Sequence, residues 1–329
     1  MSKTLTKLLL LTAVFTMSLL AAGALLAEEC PRGDLDSRFC DRDGDMVADP
    51  PTDPSKWLNP DTLYFTYTPV DDAEVHKTAW ADFMTHMEKV TDKKVKYFII
   101  QSNAVQIQAM RAERLHVATF NTGSVPLAVN CAGFVPFSTV SKQNGTFGYE
   151  MEIITYPTSG IKKVEDIKGR KLTFTSHHSN SGFKAPSAIL KAEFNMIPER
   201  DYEPVFSGKH SNSILGVANR DYEAAAIGSP IMDRMISRNV IKAENVEKIY
   251  KSQTFPVSAQ GYIYNLHPDL AQKIRQAYAS FEWYRPDGTP TSLKVLYENY
   301  SKFKRMSYKE HFSVIRTIDK ANSVSYDCK

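Results

Sequence analysis

Ser179, Asn180 and Ser181 are the residues whose types and spacing point most directly to chemistry. They sit in the stretch Phe174-Thr175-Ser176-His177-His178-Ser179-Asn180-Ser181-Gly182-Phe183, where a β-rich run gives way to helix-forming sequence. Each of the three can cap a helix. The unpartnered N–H groups and the dipole at a helix start favour an anion, and side-chain hydroxyls beside them add donors. An ordinary N-cap uses the same residues, and spacing alone does not separate the two uses. His177 and His178 precede the run. Neighbours on an extended segment point to opposite faces, which argues against one shared metal ion. No activated nucleophile and no paired acid–base constellation accompanies these residues, so binding is expected rather than catalysis.

A second group is acidic. Asp41-Arg42-Asp43-Gly44-Asp45-Met46-Val47-Ala48-Asp49 places carboxylates at alternating positions, with a Gly for the turn and a later Asp. That pattern suits calcium and resembles loops of the thrombospondin type 3 or EF-hand kind, although the closing bidentate Glu is absent. A solvated acidic turn is the other reading, and the loop is structural in both. Asp41, Asp43, Asp45 and Asp49 are the candidate ligands, and calcium would be a structural ion rather than a required cofactor. Four cysteines, Cys30, Cys40, Cys131 and Cys328, complete the inventory. Cys30 and Cys40 close a short loop, which suggests pairing them and leaves Cys131 with Cys328. The other two connectivities stay open.

The ends of the chain place these groups in a compartment. Lys3 and Lys7 precede a nearly continuous apolar run over 8–27, small residues cluster at 21–24, and Glu28-Glu29 ends it. This is the layout of a secretory signal peptide over 1–27, with a membrane anchor as the alternative. Export to an oxidising periplasm favours disulfides. Without Lys3 and Lys7 the 40 basic residues become 38, against 37 acidic. A balance so near zero offers no field for nucleic acid.

The elements that must position these residues alternate. With 329 residues, 43% apolar and 23% charged, the chain has enough material for two folded domains. Strands are expected at 63–69, 95–100, 117–120 and 135–140, with helices at 72–90, 104–112 and 125–131 between them. A second set follows: strands at 150–156, 172–175, 202–206, 222–227 and 260–265, and helices at 182–193, 212–219, 231–237, 267–280, 293–300 and 308–322. Strand–helix–strand with short connections implies largely parallel sheets covered on both faces. The expected organisation is an α/β protein of two lobes with a hinge and a cleft between them. An acidic N-terminal extension covers 28–60. Lobe 1 covers 61–156 plus 253–329, and lobe 2, covering 157–252, is inserted with crossings near Thr155-Tyr156 and Phe255-Pro256. Open α/β sheets bind ligands at the carboxyl ends of their strands, which puts the 174–183 turn at the cleft.

Several motifs in order make the chain resemble a known family. They are Met110-Arg111; Phe147-Gly148-Tyr149; Val164-Glu165-Asp166-Ile167-Lys168-Gly169-Arg170-Lys171-Leu172; the 179–183 turn with Pro186; and Gly208-Lys209-His210 followed by Ala218-Asn219. Over 63–261 the sequence resembles the phosphonate-, phosphite- and phosphate-binding proteins of ABC transporters, which are type II periplasmic binding proteins. The resemblance implies a monomeric, periplasmic receptor without a cofactor. It would capture a small phosphorus oxyanion and deliver it to a membrane permease. The family's Ser-Thr-Ser-Gly helix start falls on Ser179, Asn180, Ser181 and Gly182, with Asn in place of the central Thr. A ligand-contacting His falls on His210 and a ligand-bonding Tyr on Tyr149. A second Tyr is replaced by Asn103. The carboxylates that receive a ligand ammonium in aminoalkyl-phosphonate binders fall on Pro230 and Ser258, so an aminoalkyl ligand is not expected, with Glu223 and Asp233 nearby as substitutes. A related alternative is a sensor that signals a ligand such as an oxyanion or arsenite to a membrane histidine kinase. Arsenite would call for a free thiol, for which Cys131 is the candidate.

Overall fold

The protein is described from a computed structural model covering residues 30–70 and 72–328. The expected signal peptide over 1–27 lies outside the described residues. In chain order the first lobe opens with β1 (Thr62–Tyr67), α1 (Ala73–Ala79), α2 (Ala81–Thr91), β2 (Lys94–Tyr97), α3 (Asn103–Arg111), β3 (Val117–Phe120), α4 (Val125–Ala132) and β4 (Phe134–Ser141). The sequence predicts one amphipathic helix over 72–90, but two form. Asp72 caps the first by accepting the Glu74 N–H, and the backbone turns at Trp80, where ψ is 0°. The fully buried Trp80 ring packs against Phe65 at 5.0 Å and Phe83 at 5.3 Å. The break serves that packing, while Ala79, Phe83 and Met87 still face inward as their spacing predicts.

The second lobe contains β5 (Tyr149–Thr155), β6 (Lys171–Phe174), α5 (Ala185–Phe194), β7 (Glu203–Phe206), α6 (His210–Ala218), β8 (Ala224–Gly228), α7 (Ser229–Ser237) and β9 (Glu247–Phe255). The chain then returns through β10 (Ala259–Ile263), α8 (Pro268–Ala279), α9 (Ser292–Leu296), β11 (Lys302–Arg305), α10 (Tyr308–His311) and α11 (Ser313–Ala321). The strands form a six-stranded sheet, β11-β4-β10-β3-β1-β2, and a five-stranded sheet, β7-β6-β8-β5-β9.

Two expectations are corrected by this topology. The sheets are mixed rather than largely parallel. β1, β2 and β3 run parallel, as do β6, β7 and β8. β10 is antiparallel to β3 and β4, and β5 is antiparallel to β8 and β9. The antiparallel strands β5 and β10 are those that carry the chain from one lobe into the other. They enter from the side at which the parallel strands end. The first crossing also comes earlier than Thr155-Tyr156: β5 already pairs in the five-stranded sheet, so the chain changes sheets within residues 142–148, and returns within 256–258.

From Arg32 onward the described residues form one compact unit. The acidic extension is therefore more than a solvated turn: Leu35, Phe39, Val47 and Ala48 are buried in the core. Phe39 packs edge-on against Tyr264 at 4.7 Å. Asp36 donates its N–H to Asn130 O at 2.8 Å and pairs through its carboxylate with Arg111 at 3.3 Å. Arg111 also donates to Cys328 O, so the Met110-Arg111 motif fastens the acidic extension and the C-terminal segment to α3. Cys131 and Cys328 are bonded, with 5.2 Å between Cα atoms. Cys30 and Cys40 are each held in a disulfide.

Candidate functional site

The site is built on the turn that leaves β6. Phe174 ends that strand fully buried, and the Thr175 N–H then donates to Gly182 O at 2.9 Å, folding residues 176–181 into a closed loop. Ser179 is extended (φ −79°, ψ 129°) and accepts the Gly182 N–H on Oγ at 3.0 Å, as an N-cap does. Residues Asn180–Lys184 form a π-helical turn before α5, closed by Lys184 N–H donating to Ser179 O at 3.0 Å. Such a turn carries one more residue than an α-turn and is frequent at functional sites. Gly182 is required here: a Cβ would stand 2.0 Å from Thr175 Oγ1 and 2.8 Å from Ser179 Oγ.

The hydroxyl of Ser179 has a second neighbour. His210, at the start of α6, brings Nε2 within 3.1 Å of Ser179 Oγ, while its Nδ1 accepts the Gly228 N–H at 3.2 Å. A ring nitrogen that accepts carries no proton, so the hydrogen of the neutral imidazole is on Nε2 and is donated to Ser179. Ser179 Oγ then accepts two hydrogen bonds, from Gly182 and from His210. Both lone pairs are occupied, and its own hydrogen is left to donate into the cavity.

Tyr149 begins β5 and is buried at the site. Its hydroxyl accepts from Asn180 Nδ2 at 3.2 Å. Burial raises the Tyr149 pKa above its ordinary value, so the group is a neutral phenol. Thr122 comes from the first lobe, in the loop after β3, and donates to Pro256 O at 2.9 Å. Gly123 follows it. A Cβ there would stand 2.4 Å from His178 O and 2.5 Å from Asn180 N, so the two lobes meet at van der Waals contact beside the site.

These residues surround a cavity of about 140 Å³ lined by Thr122, Tyr149, Ser179, Asn180, Ser181 and His210. Tyr67, Ser258, Tyr297 and Tyr300 close it from the first lobe and the C-terminal segment. Of the six sequence-predicted ligand residues, five stand on this cavity. Asn103 is not on its wall: it is buried behind it, donating to Thr68 Oγ1 at 2.8 Å and receiving Asn121 Nδ2 at 3.4 Å. The His177 ring lies 4.1 Å from that of Phe206, tilted by 35°, and edge-on to Phe183. Pro230 and Ser258 line the cavity, yet Asp233, Arg234 and Glu298 do too. Asp233, one of the two substitutes named from the sequence, thus stands on the wall. Glu223 instead pairs with Arg170 at 2.8 Å.

Sequence reasoning missed Thr122, Arg234, Tyr297, Glu298 and Tyr300. Thr122 had a signal, since it follows a strand buried at every position, where ligands of α/β sheets sit. The others lie on segments read only as helices. In the acidic loop, carboxylate oxygens of Asp41, Asp43 and Asp45 lie within 4.8 Å of one another. Asp49 is not among them: it accepts the Arg42 N–H at 2.7 Å.

The family described as "ABC transporter, phosphonate, periplasmic substrate-binding protein" matches residues 65–311. The chain belongs to this family. Its members are binding components of transporters rather than enzymes, and periplasmic ones. Among curated relatives, the phosphate-import protein PhnD of Mycolicibacterium smegmatis is 25% identical over 230 residues, covering 67% of this chain and 72% of the relative. The phosphonates-binding periplasmic protein of Escherichia coli is 27% identical over 209 residues, covering 62% of this chain and 62% of the relative. The fold is shared with solved structures of this phosphonate-binding family. A binding-protein component of an ABC phosphonate transporter from Pseudomonas aeruginosa has a TM-score of 0.70 at 22% identity, covering 82% of this chain and 89% of its own. PhnD1 from Prochlorococcus marinus, solved with methylphosphonate, has a TM-score of 0.70 at 15% identity, covering 80% and 99%.

Proposed function

We propose that this chain is the exported, monomeric receptor of an ABC transporter and that it captures phosphate, phosphite or a simple phosphonate at the Asn180–Lys184 turn. The observation that carries this reading is the Ser179 hydroxyl, whose lone pairs are both occupied and which can only donate toward the cavity. By position, the first N–H groups of the turn have no partner within the helix and add fixed donors beside it. Ser181 supplies a further hydroxyl on the same wall. Tyr149 and His210 act chiefly by orienting Asn180 and Ser179. The partners are the anion and a membrane permease. An arsenite sensor finds no support, because Cys131 is bonded and no described cysteine is free. With Asp233 and Glu298 on the wall, exclusion of an aminoalkyl substituent is no longer part of the reading. For the acidic loop we infer a structural calcium held by Asp41, Asp43 and Asp45.

Calorimetry tests the site. The parent should bind at least one of phosphate, phosphite and methylphosphonate. Ser179→Ala should weaken that binding by about 10- to 100-fold, the worth of one hydrogen bond to a charged group. Equal binding by parent and variant would place the ligand elsewhere.

A further inference from the structure

We propose that Tyr300 and Thr122 latch the hinge: each holds one of the two backbone carbonyls at which the chain enters and leaves the second lobe, and together they keep the lobes closed on the ligand. The inference rests on the oxyanion reading above and concerns how that site is kept shut.

The chain crosses between the lobes within residues 142–148 and 256–258. The two crossings meet at one point of the second lobe, because Tyr149 and Phe255 are paired where β5 begins and β9 ends. Gly148 and Pro256 are the next residues on the hinge side of that pair. Gly148 has a φ of 135°, and a Cβ there would stand 2.2 Å from Thr254 Cγ2, so the turn into β5 needs a glycine.

Both hinge carbonyls are held from the first lobe. The Tyr300 hydroxyl donates to Gly148 O at 3.1 Å, and the Thr122 hydroxyl donates to Pro256 O at 2.9 Å. Thr122 follows β3 and Tyr300 lies just before β11, both strands of the six-stranded sheet. Burial, with Tyr67 and Glu150 adding to it, pushes the Tyr300 pKa from 10.0 up to about 12, so the phenol keeps the hydrogen it donates. Lys304 also reaches the first crossing, at Gly145 O across 3.1 Å, but away from its junction with β5.

The arrangement in which these bonds form is the closed one. Gly123 of the first lobe lies against the backbone of His178 and Asn180, and Lys184 reaches Gly123 O at 2.7 Å. Opening such a cleft is absorbed by backbone torsions in the crossing segments. Those torsions turn the carbonyls at their ends, and a hydrogen bond weakens steeply once its angle is lost. The two bonds therefore favour the closed state by a fixed amount, whichever anion is inside. A direct contact to the ligand would instead depend on the group that the ligand presents.

Calorimetry on the full chain with phosphate, phosphite and methylphosphonate separates the two cases, since these anions differ in one substituent on phosphorus. Tyr300→Phe and Thr122→Val each remove one hydroxyl. Each should weaken every anion that the parent binds by a common factor of about 3 to 10, measured well below the unfolding temperature, and the double variant by about the product. Thr122→Ser returns a hydroxyl and should recover most of what Thr122→Val loses. Because both bonds are made within the protein, small-angle scattering should also give the ligand-free double variant a larger radius of gyration than the ligand-free parent. Unchanged affinity, losses that differ from one anion to another, or equal ligand-free radii would overturn the proposal. If the parent binds none of the three anions, the functional reading itself fails, and the ligand-free radii still decide whether the latch exists.

Discussion

Ser179 and His210 form a coupled pair. The imidazole reaches the cavity chiefly through the hydroxyl it fixes, so removing it should matter much less once that hydroxyl is gone. In a double-mutant cycle, His210→Ala should weaken methylphosphonate binding clearly in the parent but by less than about twofold in a Ser179→Ala background, where additive losses would show an independent ligand contact. The Ser179, Asn180 and Ser181 cluster was legible in the sequence because capping chemistry and anion chemistry use the same residue types. His210 and Tyr149 were legible through the family resemblance. Their orienting roles were not, since they depend on the Gly228 N–H beside His210 and on where the fold sets the Asn180 amide against Tyr149. Asn103 was placed on the ligand by resemblance, while the fold seats it behind Thr68. A position can keep its place in the chain and lose its place on the cavity wall when the side chain shortens from Tyr to Asn.

Among the elements, those that escaped the sequence share a cause. β9 and β11 each lie at the edge of a sheet, and of their residues Glu247–Phe255 and Lys302–Arg305 only Ser252 and Phe255 are buried. An edge strand with water on one side loses the apolar alternation by which strands are recognised. The loop at Gly123 gives a prediction at this scale. Because a Cβ there would overlap backbone atoms of the opposite lobe, no side-chain rearrangement relieves it. Gly123→Ala should keep the lobes from meeting and weaken ligand binding. Small-angle scattering with saturating methylphosphonate should give a larger radius of gyration than for the parent, and equal radii would contradict this contact. The acidic loop gives another. Burial, with Asp43, Asp41 and Asp49 adding to it, pushes the Asp45 pKa from 3.8 up to about 6, against the lowering effect of the Val47 N–H. A carboxyl whose folded pKa is raised stabilises the fold only while protonated, so stability is lost as pH rises from 3.8 to about 6. Asp45→Asn keeps an oxygen for Val47 N–H and removes the charge. It should raise Tm at about pH 7.5 and leave it unchanged below about pH 4, by an amount that solvent screening keeps small. Calcium should raise the parent's Tm over that in a chelator at the higher pH and do so less at the lower one. No calcium shift at either pH would leave an acidic turn.

At the scale of the whole molecule, alternating strands and helices made two lobes legible, but nothing in the sequence revealed what joins them behind the cavity. Lys184 ends the ligand turn in the second lobe. Its ammonium lies 2.7 Å from Gly123 O of the first lobe and 2.8 Å from Asp319 Oδ1 on α11. Both side chains are at most 4% exposed. Tyr326 donates to the other Asp319 oxygen at 3.0 Å, and the tail beyond it is tied down by the Cys131–Cys328 bond across 197 residues. A charged Lys in mid-sequence and an Asp near the end read as two surface residues until the fold buries them together. Burying both charges costs about as much as their attraction returns, whereas stranding one of them costs roughly 3–5 kcal/mol. Asp319→Asn should therefore lower the urea-unfolding free energy by that order, because it leaves the Lys184 ammonium buried without its counter-charge. Lys184→Met combined with Asp319→Leu should recover most of the loss, since no lone charge remains. The double variant also loses the link to Gly123 O, so it should bind methylphosphonate more weakly than the parent even where its stability matches. A double variant as unstable as Asp319→Asn would mean that the pair holds the fold together by its own attraction. A double variant that binds as the parent does would mean that Lys184 contributes nothing to holding the lobes closed.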